Sequence, residues 1–201
     1  MINIREPDRF MMIKSYTILA WNFRRSEEQV DKIRLGIIGC GGMASTSHVN
    51  GLLELADVMT VTAACDINIA QARGLADKFG DAFAVADYRE VIDRVDAVLI
   101  ALPHDLHYEV GMAFLEAGKH VLMEKPMANS EEECIGLIQK AEQNGLVLMT
   151  AYPVRFWPIV QKMKQLVDAQ TYGEMFQMSI WTEQLTKPPQ GHWITSAQRL
   201  G

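Results

Sequence analysis

A glycine-rich segment at residues 39–44, Gly-Cys-Gly-Gly-Met-Ala, most restricts how this chain can fold. It follows an apolar run at residues 33–38 and precedes a stretch compatible with a helix. In this GxGxxA pattern, Gly39 permits the tight turn from strand to helix, Gly41 lets the backbone approach a pyrophosphate, and Ala44 keeps the helix close to the sheet. Free N–H groups and the positive dipole end of such a helix attract phosphate. The segment therefore predicts a dinucleotide-binding turn.

An aspartate stands where this pattern places an acidic group against the ribose diol. Asp66 follows the apolar run at residues 58–65, about twenty residues beyond the glycine turn. The same carboxylate could instead form a turn or cap a helix. Ile67 comes next and the first arginine after it is Arg73. Because no adjacent cation offsets the repulsion between Asp66 and a 2'-phosphate, the sequence predicts NAD in preference to NADP.

The composition favours a globular protein and argues against several other classes. The 201 residues are 49% hydrophobic, which is ample for a core. Nineteen basic and 25 acidic residues give a net charge of -6, without a basic run, so nucleic acid is a poor partner. Three cysteines without CxxC spacing predict neither a disulfide framework nor a zinc site. A reducing cytoplasm is the expected location.

The first 32 residues match no fold element and are interpreted as an N-terminal extension. Their apolar patch at residues 16–21 is too short for a transmembrane helix, so no membrane association is expected. Met11 and Met12 lie inside this extension, which leaves open a translation start assigned too early.

From residue 33 onward, short β-branched runs alternate with longer amphipathic stretches, as in repeated βαβ units. The prediction is an α/β fold with a doubly wound parallel sheet that occupies residues 33–151. Strands are predicted at residues 33–38, 58–65, 82–85, 97–101, 120–123 and 147–150. Helices are predicted at residues 70–79, from residue 87, at residues 106–117 and after residue 130.

The last of these helices carries the clearest start signal. Ser130 and Glu133 form a capping-box pattern. The predicted buried face of that helix consists of Ile135, Leu137, Ile138 and Ala141.

Beyond residue 151 the pattern changes, and residues 152–201 are predicted to begin a second, α+β domain. A helix is expected at residues 159–169. Phe176, Met178 and Ile180 alternate with polar residues, as in a half-buried antiparallel strand at residues 174–182. Because one strand cannot form a sheet, we expect this domain to be truncated at residue 201.

Polar residues that follow the predicted strands are the candidates for chemistry, since ligands bind outside the carboxyl ends of strands in such sheets. His107 could face a cofactor or cap the next helix; His104 and His107 lack the carboxylate or Cys partners of a metal site. Lys125 could donate to a substrate hydroxyl and stabilise a developing alkoxide, or form a surface ion pair with Glu124. Arg155 could orient a substrate oxygen or pair with an acid.

These motifs together resemble those of the glucose-fructose oxidoreductase, inositol dehydrogenase and MocA (Gfo/Idh/MocA) family. The resemblance rests on residues 39–44, Asp66, residues 103–107, residues 124–126 and residues 155–156. It implies an N-terminal Rossmann domain, a C-terminal domain with a large, mostly antiparallel sheet, and NAD(P)-dependent oxidation or reduction of a sugar or polyol. A homo-oligomer joined through the antiparallel sheet is implied for a full-length form.

The resemblance also assigns roles to individual residues. It places Lys125 as the catalytic lysine, also in contact with the cofactor, and Asp66 on the adenosine ribose. His104 stands where the family often has asparagine. The remaining cofactor contacts that it implies are Gly39, Gly41, Gly42 and Met43 at the pyrophosphate, Pro103, His104 and His107 beside the nicotinamide, and Glu124 near the cofactor.

Family members carry a catalytic Asp and His in a glycine-led motif downstream of a segment like residues 191–201, and that motif is absent here. A lysine alone is a poor general base because its ammonium group ordinarily holds its proton near neutral pH. We therefore expect the 201 residues to turn over slowly or not at all. The alternative is a non-catalytic NAD-binding remnant or regulator.

Overall fold

A computed structural model describes residues 31–80, 82–181, 183, 192–196 and 199, and its central feature is a parallel sheet. Six strands lie in the order β3-β2-β1-β4-β5-β6. Their bounds are β1 Ile33–Ile38, β2 Met59–Cys65, β3 Phe83–Val85, β4 Ala97–Ile100, β5 His120–Glu124 and β6 Leu148–Ala151. Every neighbouring pair is parallel. The predicted α/β, doubly wound fold is confirmed, and the strand order reverses between β1 and β4.

Helical segments connect the strands on both faces of the sheet. The α-helices are α1 Val49–Glu54, α2 Ile69–Ala76, α3 His107–Glu116, α4 Glu131–Gln143 and α5 Pro158–Asp168. A π-helical segment, Met43–His48, leads directly into α1, and the Val49 N–H donates to the Ala44 carbonyl. Short 3-10 helices are Asp77–Phe79, Tyr88–Arg94, His104–Leu106, Pro153–Phe156 and Trp193–Thr195. None of the helices in the described part is long and apolar enough to cross a membrane.

Two hydrophobic clusters cover the two faces of the sheet. Strand residues alternate between them: Leu35 and Ile37 pack with α1 and α2, whereas Ile38 packs with α3 and α4. All four residues of β4 are fully buried. Such a strand is covered on both faces, as expected for the centre of a parallel sheet.

The start of α4 was predicted correctly, but half of its buried face was wrong. The Glu133 N–H donates to Ser130 Oγ at 3.2 Å, which confirms the cap. Leu137 is fully buried, whereas Ile135 and Ile138 are 44% and 41% exposed. Residues three and four positions apart lie on one face of a helix, and two neighbouring faces can both carry apolar residues at that spacing. The apolar pattern alone therefore does not decide which of the two faces packs against the core.

The predicted antiparallel strand at residues 174–182 is also wrong for the residues that the structure describes. Residues 174–181 contain no strand, and Phe176 and Trp181 are 95% and 91% exposed. A strand needs a neighbour for its backbone hydrogen bonds, and no described segment pairs with this one. Residue 182 and residues 1–30 of the predicted extension at residues 1–32 lie outside the described residues.

Candidate active site

The carboxyl ends of all six strands open onto one edge of the sheet, because the strands are parallel. The glycine turn follows β1 and Asp66 follows β2. His104 lies beyond β4, Lys125 follows β5, and Arg155 follows β6 on a short 3-10 helix. The structure thus brings every segment of the sequence-predicted site to the same edge.

The glycine turn shows two different steric requirements. Gly39 has a φ of +92°, and a Cβ added there would lie 2.3 Å from the Ala101 carbonyl oxygen. Added Cβ atoms at Gly41 and Gly42 would meet nothing within 4 Å. The first glycine is therefore required by the protein itself, while the next two leave open space in front of a helix N-terminus. That shape fits a pyrophosphate.

The Asp66 side chain is hydrogen-bonded to the backbone of the glycine turn. Its Oδ2 accepts the Cys40 N–H at 2.9 Å, and its Oδ1 accepts the Asn68 N–H at 2.8 Å. An ionised carboxylate has about four lone-pair sites, so both oxygens keep acceptor capacity for a ribose diol. The next side chain, Ile67, is 95% exposed. The predicted ribose role is therefore compatible with this geometry.

Two thiols belong to this region: Cys40 is part of the glycine turn and Cys65 is the last residue of β2. Burial, followed in size by the charge of Asp66, raises the pKa of Cys40 and of Cys65 to about 12. Both thiols are thus protonated at neutral pH and are poor nucleophiles. Cys134 is also unpaired, and no group of three or more His, Cys, Asp or Glu residues in the described part is placed to hold a metal ion.

Glu124, the last residue of β5, is a buried carboxylate at the carboxyl edge. Its Oε1 lies 2.7 Å from His48 Nε2, and its Oε2 accepts the Lys125 N–H at 3.1 Å. Burial acts to raise the pKa of Glu124, but the His48 hydrogen bond and the Lys125 N–H together hold it below its usual value. Glu124 is therefore ionised at neutral pH. The side chain that contacts this carboxylate among the described residues is His48, while Lys125 is exposed.

His48 is a site residue to which sequence reasoning assigned no role. It lies on the segment that follows the glycine turn and is 2% exposed. Ala44 and Leu52, four residues before and after it, are 1% and 2% exposed. Helical spacing of four places these three residues on one face, so the signal for a buried histidine was present.

His107 is fully buried, and both of its ring nitrogens lie against backbone carbonyls. Nδ1 is 2.7 Å from the Pro126 oxygen and Nε2 is 2.9 Å from the Leu102 oxygen. Burial lowers the pKa of His107, although the two carbonyls oppose that shift. The cofactor contact implied by the family resemblance is thus not open to the ring. Helix capping is not its role either, because α3 has Leu106 at its N-cap with no side-chain capping bond.

The loop after β4 contacts residues near the end of the chain. The rings of His104 and Trp193 meet edge to face with centroids 4.8 Å apart. Arg199 Nε lies 3.2 Å from Asp105 Oδ2, an ion pair that sequence reasoning missed. Arg155 is exposed and its guanidinium lies over the adjacent Phe156 ring at 5.7 Å.

Comparison with known proteins identifies the family to which this site belongs. The model of the Gfo/Idh/MocA oxidoreductase family, NAD-binding Rossmann fold, matches residues 33–152. The chain belongs to this family. The Rossmann α/β fold and the oxidoreductase family predicted from the sequence are therefore confirmed.

Relatives within the Gfo/Idh/MocA family include sugar and polyol dehydrogenases. D-glucoside 3-dehydrogenase of Escherichia coli K12 is 33% identical over 146 residues, which are 72% of this chain and 41% of that protein. The NADP(+)-dependent scyllo-inositol 2-dehydrogenase IolW of Bacillus subtilis is 34% identical over 135 residues, 66% of this chain and 36% of that protein. The chain thus spans about two fifths of the length of these relatives.

A solved Gfo/Idh/MocA-type structure shows the same architecture. The WlbA dehydrogenase of Chromobacterium violaceum, in complex with NADH and UDP-GlcNAcA, matches with a TM-score of 0.68 at 27% identity. The match covers 72% of this chain and 42% of that one. NADH and NADP(+) are thus both represented among the named cofactors of these relatives.

Proposed function

We propose that this chain carries the nucleotide-binding half of an NAD-dependent dehydrogenase site that acts on a CH–OH group of a sugar or polyol. The observation that carries the proposal is the convergence of the glycine turn, Asp66 and Lys125 at one edge of the sheet. Each of these groups has a distinct task in such a reaction.

The glycine turn and Asp66 hold the adenosine side of the cofactor. The open space at Gly41 and Gly42 admits a pyrophosphate, and the N–H groups at the start of the Met43–His48 segment donate to it. Asp66 accepts hydrogen bonds from the ribose diol. Bound NAD supplies the acceptor for the hydride that leaves the substrate carbon.

NAD is proposed over NADP because of the charge at the ribose end. The residue after Asp66 is Ile67, which is apolar and exposed, so no cation at that position compensates the charge of the Asp66 carboxylate. A 2'-phosphate would bring negative charge to this carboxylate. Relatives such as IolW use NADP(+), so this preference concerns the chain's own residues and not the family as a whole.

Lys125 acts on the substrate oxygen. It follows β5 directly and its side chain is exposed at the edge where the cofactor cleft opens. Because Glu124 is occupied by His48, the ammonium group is available to donate to a hydroxyl and to stabilise the negative charge that develops on its oxygen. The Lys125 side chain therefore binds and orients the substrate hydroxyl.

The test measures cofactor binding and turnover separately on the full 201-residue chain. Isothermal titration calorimetry with NAD and NADP is expected to give tighter binding of NAD. A panel of glucosides and inositols, followed by the absorbance of the reduced nicotinamide, tests oxidation. Absence of NAD binding refutes the proposal entirely. Binding of NAD without oxidation agrees with the expectation that these 201 residues turn over slowly or not at all, whereas oxidation at an ordinary enzyme rate would contradict that expectation and exclude a non-catalytic NAD-binding protein.

A matched pair of lysine variants tests the role of Lys125. Lys125→Ala removes the ammonium at the carboxyl end of β5, whereas Lys119→Ala removes one just before the amino end of the same strand. Loss of a positioned acid–base group costs about a hundredfold to ten-thousandfold in rate. In whatever slow turnover the wild-type chain shows, we expect that loss for Lys125→Ala with little change in NAD affinity, and near wild-type behaviour for Lys119→Ala. Equal effects of the two substitutions would contradict the assignment.

A further inference from the structure

Two buried histidines flank the turn that carries Lys125. His48 Nε2 contacts Glu124 Oε1 at 2.7 Å on one side of the lysine. His107 Nδ1 contacts the Pro126 carbonyl at 2.7 Å on the other side. The two rings are 2% and 0% exposed, although Lys125 between their contacts is exposed. The exposed residue is thus held through its two neighbours.

The Glu124 carboxylate joins its histidine to the backbone of the lysine itself. One oxygen takes the His48 ring and the other accepts the Lys125 N–H at 3.1 Å. A side chain that makes both bonds restrains the peptide that leads into Lys125. This fixes the direction in which the lysine side chain leaves the backbone.

Each histidine also links the turn to another part of the cofactor cleft. His48 lies on the helical segment that begins at the glycine turn, next to the proposed pyrophosphate site. His107 Nε2 contacts the Leu102 carbonyl at 2.9 Å, in the loop after β4. The turn at residues 124–126 is therefore tied to the segment that follows β1. His107 lies between this turn and the loop after β4, and a neutral ring donates its one N–H to one of the two carbonyls.

We infer that His48 and His107 are positioning residues that hold the turn at residues 124–126 from both sides and thereby orient Lys125 toward the bound cofactor and substrate. The inference rests on the proposed function of Lys125. Neither ring is assigned a contact with substrate, because both are buried. Misplacement of a catalytic group by about 1 Å can cost a hundredfold in rate, so such restraint has a functional consequence.

The test follows the Lys125 side chain directly by NMR. The full chain is reductively methylated with isotopically labelled formaldehyde, and the Lys125 signal is assigned by its absence in Lys125→Arg. In the wild-type chain, NAD is expected to shift this signal. If NAD binds but the wild-type signal does not move, the proposed role of Lys125 fails. That failure is distinct from failure of the positioning inference.

The variants separate positioning from stability. His48→Leu removes the ring donor, whereas His48→Gln keeps an N–H donor near the Nε2 position. Leu52→Ala removes buried packing one turn later, on α1, and leaves both His48 and Glu124 in place. We expect the NAD-induced shift of Lys125 to be lost in His48→Leu, restored in His48→Gln and retained in Leu52→Ala.

Three outcomes would overturn the inference. They are a wild-type Lys125 response in His48→Leu, the same loss in Leu52→Ala, and failure of His48→Gln to restore the response. If His48→Leu does not fold, Glu124→Gln takes its place, because it removes the charged acceptor at nearly constant size. His107→Asn, which keeps a donor near Nδ1 but loses the Nε2 contact to Leu102, tests the other side. A Lys125 response unchanged from the wild type in Glu124→Gln or His107→Asn counts against the corresponding restraint.

Discussion

Replacement of Gly39 by alanine tests whether the fold itself requires the first glycine of the turn. At a φ of +92° an alanine is strained, by about 1–2 kcal/mol. Its Cβ would also lie 2.3 Å from the Ala101 oxygen and 2.8 Å from the carbonyl carbon. These are backbone atoms that cannot rotate away, and overpacking of this kind costs about 1–3 kcal/mol. We expect the free energy of unfolding to fall by about 2–5 kcal/mol, out of a typical total of about 5–15 kcal/mol.

Gly41→Ala is the matched substitution two residues later. Its Cβ would meet nothing within 4 Å and its φ is not positive. The free energy of unfolding should therefore change by no more than about 0.5 kcal/mol. The methyl group would instead occupy the space through which a pyrophosphate approaches, so we expect NAD affinity to fall by about tenfold or more, at least 1.4 kcal/mol.

Urea unfolding followed by circular dichroism measures the first effect, and calorimetric titration with NAD measures the second. The two substitutions are expected to separate, with Gly39→Ala unstable and Gly41→Ala stable but poor at binding. The steric argument is refuted if the free energy of unfolding of Gly39→Ala lies within about 1 kcal/mol of the wild-type value, because the backbone strain alone is expected to cost about 1–2 kcal/mol. The cofactor argument is refuted if Gly41→Ala binds NAD with unchanged affinity.

Three further predictions concern Asp66 at the proposed ribose site, buried His107 and the Ser130 cap of α4. Asp66→Ser combined with Ile67→Arg should shift the ratio of NAD to NADP dissociation constants toward NADP by about tenfold or more, and an unchanged ratio would refute the charge argument. Burial lowers the pKa of His107 in the folded chain below its usual 6.5. At a pH between the folded-state and the unfolded-state pKa, the unfolded chain therefore binds more protons than the folded chain. Urea unfolding should accordingly show stability falling as the pH drops below about 6.5. Each histidine of this kind contributes a slope of at most about 1.4 kcal/mol per pH unit. The total slope should become shallower in His107→Asn, where half-buried His120, whose pKa burial also lowers, supplies the remainder, and should be unchanged in a variant of exposed His192. Ser130→Ala removes the acceptor for an N–H of α4 and should cost about 1 kcal/mol in urea unfolding, so an unchanged midpoint would contradict the cap.

The sequence predicted the Rossmann sheet well because its signals are local and mutually consistent. The apolar run of β4 is long enough only for a buried strand, and the Ser130 cap marks the start of α4. Local signals failed where a neighbour decides the outcome. Residues 174–181 alternate like a strand, yet a strand forms only where another strand supplies its hydrogen bonds. The exposure of Ile135 likewise depends on which stripe of α4 faces its neighbours.

The site was predictable to the same degree and for the same reason. Residues that follow strands were found, because parallel strands bring their carboxyl ends to one edge regardless of sequence separation. His48 was missed because its partner, Glu124, is 76 residues away and is reached from a helix instead of a strand end. Spacing around Ala44 and Leu52 indicates burial of that histidine but carries no information about what it meets. A buried histidine at such a position needs a polar partner, and a strand end at this edge of the sheet can supply a carboxylate. Here Glu124, at the end of β5, supplies it and lies beside the lysine proposed to bind the substrate.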